Sequence, residues 1–346
     1  MTTLRAIILT ALSLCVIATP LLAQDRERLS RECRRDVVKV CGRDRSKVLE
    51  CLQSQFPELK PTCQDEVWDR LEQRLRQNRA RNGRTFDRLA TMQPSSSLAY
   101  GSDERQKVDF FAPQNNGDES FLIMHIHGGG WSIGSRKAVD EKPLHFTGSG
   151  YAFASTGYRL LPDAQVEQQA ADIGRSLRLL REQASELGIN SDRIVIMGHS
   201  AGAHLAALIG TDPKYAGTAF DAIEGVILLD GAAYNIPAQL RSEDALLPRL
   251  FKRTFGDDVS RQRALSPITH VGGGDAPNWL ILFDADRAPS GDRSKELGNA
   301  LERGGKSVEV LAISNTNHGR LNSEIGTEEG SQQTRAIDSF LAQVLR

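Results

Sequence analysis

The sequence predicts an α/β fold with a mostly parallel central sheet, preceded by a small disulfide-linked helical module. Three observations carry that expectation. From about residue 98 onward, short apolar runs alternate with amphipathic helical stretches, the pattern of parallel strands joined by helices. The segment Gly198-His199-Ser200-Ala201-Gly202 stands between one such run and a helix. Four cysteines, Cys33, Cys41, Cys51 and Cys63, crowd into 31 positions, and none occurs in the 283 residues that follow.

The composition is that of an ordinary globular protein. The chain has 346 residues, 40% apolar and 25% charged, with a net charge of −1. This balance supplies no global attraction to nucleic acid or to an anionic membrane, and a small-molecule substrate is the expected partner. Residues 1–23 have the parts of an export signal: Arg5, an apolar run from Ala6 to Ala18, and the exit Pro20-Leu21-Leu22-Ala23. Thr10 and Ser13 interrupt the run and Pro20 breaks it, so the expectation is cleavage after Ala23. The product would be periplasmic or secreted, with no stable membrane anchor. Lipid attachment at Cys15 is disfavoured, since Leu14 stands where a small residue is expected.

The next segment, 24–81, reads as the cysteine-rich helical module. In an exported chain four closely spaced cysteines read as two disulfides, with three connectivities open. A metal site is disfavoured, because the cysteines form no CxxC pair and no histidine lies nearby. Val37, Val38 and Val40, then Val48, Leu49 and Leu52, recur at helical spacing. Pro57 and Pro61 mark a break before a third helix over 64–81. Between Gln24 and Arg88 there are 17 lysines and arginines against 12 acids. This excess is compatible with anchoring on an acidic surface or polymer, although a solvated helix face is the plainer reading. The cysteine pattern resembles the repeat of the Golgi cysteine-rich glycoprotein family, over about one repeat.

Residues 82–97, with Asn82-Gly83 and Pro94-Ser95-Ser96-Ser97, read as a linker, and the catalytic domain is expected over 98–346. Its strands are expected at 107–111, 121–126, 151–155, 193–197, 225–231, 279–283 and 308–313. A long amphipathic helix is expected over 164–187, and helices or a partial cap over 232–269. A closing helix over 332–345 carries Ile337, Phe340, Leu341 and Val344 on one face.

In such sheets ligands bind beyond the carboxyl ends of the strands, and the chemically capable residues lie there. The glycines on both sides of Ser200 permit the sharp turn that exposes a nucleophilic hydroxyl. A serine needs a base to act at neutral pH. His318, in Asn317-His318-Gly319 after the last strand, is that candidate, whereas His125, His127, His145, His199, His204 and His270 lack such a position. For the orienting acid the stretch Phe283-Asp284-Ala285-Asp286 offers two carboxylates. Asp286, farther beyond the strand, is the choice, with Asp284 and then Asp292 as rivals. Glycines 128 to 130 after the second strand would present backbone N–H groups to an oxyanion, and the Ala201 N–H would add another. A phosphate-cradling reading is disfavoured by the lack of a Walker lysine and of a GxGxxG turn.

Together His127-Gly128-Gly129-Gly130-Trp131, Tyr158-Arg159-Leu160-Leu161-Pro162-Asp163, Gly198-His199-Ser200-Ala201-Gly202 and Asn317-His318-Gly319 resemble the esterase/lipase branch of the α/β-hydrolases related to hormone-sensitive lipase. The resemblance spans about residues 98–345. It implies the α/β-hydrolase fold, a Ser200, Asp286 and His318 triad, and an oxyanion hole from Gly129, Gly130 and Ala201. It also implies no metal and no cofactor. The acid loop, Asp286-Arg287-Ala288-Pro289, departs from the family's Asp-Pro-Leu form, and Gly157 stands where aspartate is usual before Tyr158. The expected activity is hydrolysis of short-chain acyl esters, of acetyl or feruloyl type, including esters on carbohydrate. Two alternatives use the same residues differently: an arylformamidase or amidase, and a non-catalytic binding protein on a hydrolase scaffold.

Overall fold

The computed structural model describes residues 29–42, 60, 63, 66, 92–114, 120–241 and 248–345. The chain divides into two compact units, Met1–Arg74 and Leu75–Arg346. The expected export signal, Cys51 and nearly all of the expected third helix lie outside the described residues.

In the first unit, helix α1 spans Arg31–Cys41. The Ser30 hydroxyl accepts from the Cys33 amide at 3.1 Å at its start, and Gly42 follows its end at φ 74°. Cys33 and Cys63 form a disulfide, both 2% exposed, and Val37 packs beside them. Cys41 is disulfide-bonded as well. The Asp36 carboxylate accepts from the Lys60 amide at 2.7 Å, which fixes the returning chain beside the helix. Closing a loop of 30 residues by this cross-link is worth about 3–4 kcal/mol.

The second unit is built on one eight-stranded sheet. Its strands are β1 (Ser96–Ala99), β2 (Lys107–Phe111), β3 (Ser120–Ile126), β4 (Ala152–Thr156), β5 (Ile189–His199), β6 (Ile223–Leu229), β7 (Asn278–Asp284) and β8 (Ser307–Ile313). They lie in the order β1-β2-β4-β3-β5-β6-β7-β8, antiparallel at the β1/β2 and β2/β4 pairs and parallel elsewhere. The central strands are apolar on both faces because helices cover both. Leu122, Met124 and Ile126 face one layer with Ile173 and Leu177, while Ile123 joins Phe146, Ile337 and Leu341 in the other.

All seven expected strands form. The eighth, β1, lies where turn formers predict a linker. It is a polar edge strand paired with β2, and an edge needs no apolar alternation to satisfy its backbone. The helices of this unit are α2 (Lys142–Gly148), α3 (Val166–Glu182), α4 (Ala201–Thr211), α5 (Ile236–Arg241), α6 (Pro248–Phe255), α7 (Val259–Ala264), α8 (Ala288–Arg303) and α9 (Ser331–Val344), with short turns between some of them. The expected cap over 232–269 therefore contains α5, α6 and α7.

One buried carboxylate ties the loop after β4 to the helical layer. Asp172, on α3 and fully buried, accepts from the Arg159 amide at 3.1 Å and from its guanidinium at 2.9 and 2.8 Å. It also accepts from Gln106 at 3.0 Å and pairs with Arg175. Removing it leaves these donors facing the core. Asp172→Ala should lower unfolding stability by about 3 kcal/mol, measured as a fall in the urea midpoint. An unchanged midpoint would show that water replaces the carboxylate at no cost.

Candidate active site

The parallel strands deliver the site at their carboxyl ends. β5 ends at His199, and Ser200 turns the chain into α4 at φ 56°, ψ −118°. The flanking glycines are required by contact. A Cβ on Gly198 would stand 2.2 Å from the Gly202 carbonyl oxygen, and one on Gly202 would stand 2.2 Å from that of Ile126 and 2.5 Å from that of His127. The turn thus packs against the end of β3, beside the glycine-rich loop. The Ser200 amide donates to the Leu229 carbonyl at 3.0 Å, prolonging the β5/β6 ladder through the turn.

His318 and Ser200, 118 positions apart, meet with Nε2 3.1 Å from Oγ. His318 Nδ1 lies 2.5 Å from Asp230 Oδ2. A carboxylate only accepts, so Nδ1 carries the proton and Nε2 offers its lone pair to the serine hydroxyl. The histidine loop is pinned from two sides. His199 Nε2 donates to the His318 carbonyl at 2.7 Å, and Asn317 Oδ1 accepts from the amides of Gly319 and Arg320 at 3.1 and 2.9 Å.

The carboxylate that meets His318 is therefore Asp230, and not Asp286 as the sequence led us to expect. β7 ends at Asp284, whose Oδ1 accepts from the Asp286 amide at 3.1 Å. This tight turn leaves Asp286 exposed and starts α8 at once. Asp284, the rival, is spent on that turn, and Asp292 lies within α8. Asp230 follows β6, the strand next to β5, so it reaches the imidazole from an adjacent strand end. Its φ of 44° and the bond from its amide to the Leu282 carbonyl at 2.7 Å set the direction of the side chain. Burial alone would push this carboxyl up. The hydrogen bond from His318, the Arg287 guanidinium on Oδ2 and the Ser290 hydroxyl on Oδ1 outweigh burial and hold it at about 2. Asp230, Arg287 and Ser290 escaped the sequence reading. The available signal was Asp230-Gly231 directly behind the run Val226 to Leu229.

The glycine-rich loop is held by buried side chains on both sides. A Cβ on Gly128 would lie 3.2 Å from the Ser200 Cβ. Gly129, at φ 122°, accepts through its carbonyl from the amides of Ser132 and Ile133 at 3.1 and 3.0 Å, and Gly130 follows at φ 56°. This turn occupies the Gly129 carbonyl, and Ala201, whose N–H opens α4, follows Ser200 directly. His127 stacks on Tyr158 at 4.3 Å and its carbonyl accepts from the Tyr158 hydroxyl at 2.6 Å. Trp131 donates from Nε1 to His204 Nδ1 at 3.2 Å and packs against Phe255 and Phe251 at 5.0 and 5.7 Å. The cap helix α6 thereby anchors the loop. Among the described residues no cluster of three or more histidine, cysteine or acidic side chains is arranged to hold a metal.

The histidines that frame the site are neutral, with His125, His127 and His204 buried and His199 half-buried. Burial lowers His127 and His204 to about 4 and His199 to about 3, and drives His125 well down. In the unfolded chain these groups titrate near 6.5, so they take up protons there before they do in the native state. Their contribution is complete above about pH 6.5 and is lost as pH falls through the folded values, at about 3 kcal/mol for each of His127 and His204. Asp230 adds a loss of the same direction only below about pH 4, the ordinary carboxylate range. The thermal midpoint should therefore fall steadily between pH 6.5 and 4.5 in a calorimetric series, and a flat profile there would contradict buried neutral imidazoles.

Comparison with known proteins places this site in context. The profile of the BD-FAE family matches residues 108–301. A kynurenine formamidase of Danio rerio is 26% identical over 235 residues, covering 64% of this chain and 73% of the relative. An arylesterase of Saccharolobus solfataricus is 30% identical over 169 residues, covering 42% of this chain and 54% of that protein. A probable carboxylic ester hydrolase of Mycobacterium tuberculosis, LipM, is 26% identical over 238 residues and is likewise covered over 54% of its length. The chain thus spans about half the length of the latter two. Among solved structures, Thermogutta terrifontis esterase 2 phosphonylated by sarin superposes with a TM-score of 0.63 at 22% identity, covering 73% of this chain and 96% of that one. Esterase B from Lactobacillus rhamnosis superposes with 0.65 at 18% identity, covering 78% and 95%. The chain belongs to the BD-FAE family, with the fold of carboxylesterase-type α/β-hydrolases.

Proposed function

We propose that the protein is an exported serine carboxylic ester hydrolase acting on short acyl groups, of acetyl or feruloyl type, including those on carbohydrate. The observation that carries the chemistry is the contact of Ser200 Oγ with His318 at 3.1 Å and of His318 with Asp230 at 2.5 Å; the Gly129, Gly130 and Ala201 amides are assigned to the oxyanion on the sequence pattern. His318 takes the serine proton as Oγ attacks the ester carbonyl carbon, and the three amides receive the charge that develops on its oxygen. The imidazolium, held by Asp230, returns the proton to the leaving alcohol. Water then repeats the sequence on the acyl-enzyme, so that the serine is regenerated and a carboxylic acid leaves. Formamide hydrolysis is the second reading, supported by the similarity to the Danio rerio kynurenine formamidase and needing no change in these roles.

Hydrolysis of nitrophenyl acetate, nitrophenyl octanoate and an N-formyl arylamine separates short-chain esterase, lipase and formamidase. Ser200→Ala should abolish turnover and labelling by a fluorophosphonate. Asp230→Asn should lower kcat by a factor on the order of 10³, whereas Asp286→Asn should stay within about 3-fold of wild type. The reverse ranking of the two aspartates would return the acid to the loop after β7. A wild-type protein that neither hydrolyses nor labels would be a binding protein.

Export has its own measurement. Peptide sequencing of protein recovered outside the cytoplasm should begin at Gln24, and its four cysteines should alkylate only after reduction. An intact Met1 in that fraction would overturn the cleavage.

A further inference from the structure

Asp230 Oδ2 carries two donors, and only one of them belongs to the proton-transfer group. His318 Nδ1 approaches at 2.5 Å, and the Arg287 guanidinium contacts the same oxygen from the turn after β7. Arg287 Nη1 also lies 2.8 Å from His318 Nδ1. Both are donors, so the short distance is not a hydrogen bond between them; they stand side by side on one acceptor. The Arg287 side chain is 43% exposed and the His318 side chain 42%, while Asp230 is fully buried, so a solvent-facing cation reaches down onto a buried anion beside the imidazole.

We propose that Arg287 is a positioning residue of this site: it shares Asp230 Oδ2 with His318, locks the carboxylate, and places a standing positive charge against which the imidazolium must form. The inference rests on the serine hydrolase reading above. Ser290 holds the other carboxylate oxygen, so the acid is gripped from both ends and cannot rotate when the histidine becomes charged. Arg287 thus offsets part of the attraction between Asp230 and the imidazolium.

The charged and titratable groups around His318 give the direction of the effect. Asp230 attracts its proton from the end of β6, and Arg287 repels it from the turn after β7. His199, at the end of β5, is half-buried and neutral beside it, with ring centres 4.6 Å apart, and the buried Lys142 acts at longer range behind His199. Tyr234, fully buried near Asp230, is uncharged, and Asp284 and Asp286 belong to the turn that carries Arg287. Neutralising Arg287 therefore removes the repulsive member alone. The imidazolium then forms more readily, and the free serine–histidine pair loses activity at a higher pH as the solution is acidified.

The test is the pH dependence of nitrophenyl acetate hydrolysis by wild type, Arg287→Gln and Arg287→Lys over about pH 5–9. The glutamine variant should show the acidic limb of kcat/KM moved up by about one pH unit, with KM within about 2-fold. The lysine variant should keep the limb within a few tenths of a unit, since it restores the charge. If Arg287→Gln shows no cooperative melting transition, Arg287→Met, which keeps an unbranched stem, supplies the neutral comparison. An unmoved limb in the neutral variant would overturn the inference, as would a roughly tenfold rise in KM with the limb in place, which would make Arg287 a substrate-binding cation. Either result in a wild type that hydrolyses the ester and labels with a fluorophosphonate sinks only this inference. Absence of both activities in the wild type sinks the hydrolase reading itself.

Discussion

The positive φ of Ser200 is the constraint on which the site depends. A non-glycine residue held there costs about 1–3 kcal/mol and persists only where its surroundings leave no alternative. Here the Ser200 amide is bound to β6 and the Gly202 backbone is packed against the end of β3 with no room for a methyl group. Relaxing the turn would break a ladder bond and open the core beneath it. The same packing that tolerates the strain brings the glycine-rich loop alongside Ser200, so one local distortion sets both the serine hydroxyl and the loop next to it.

The polar groups around the site form a supporting layer that depends on being uncharged. His127 and His204 are buried and His199 half-buried, and each binds a backbone carbonyl: those of Gly128, Leu265 and His318 respectively. Imidazole suits this position because it spans the gap between loops, donates one hydrogen bond and leaves the interior neutral. Asp230 is a buried anion instead, with donors on both oxygens, one of them the Arg287 guanidinium. The contrast follows from burial: an isolated ion there would be costly, whereas a carboxylate with partners on each oxygen is stable.

Much of this was legible in the residues. The central strands are continuous apolar runs, and the glycines around Ser200 announced a turn whose contacts demand them. His318 was identifiable because it is the histidine that follows the last strand. What was not legible depended on geometry across strands. Asp284 and Asp286 stand at and just beyond one strand end and Asp230 beyond another, and neither residue type nor spacing says which carboxylate a folded imidazole meets. The decisive facts were the local turn that consumes Asp284 and the positive φ of Asp230, both products of tertiary packing. β1 escaped for a different reason: edge pairing is imposed by the neighbouring strand and leaves little trace in a polar tetrapeptide.

His199 adjoins Ser200 in the chain and is hydrogen-bonded to the backbone of His318. Ser200 and His318, distant in sequence, are thereby fastened to a single strand end. A displacement of that end carries both together, so their separation is insulated from breathing of the outer sheet.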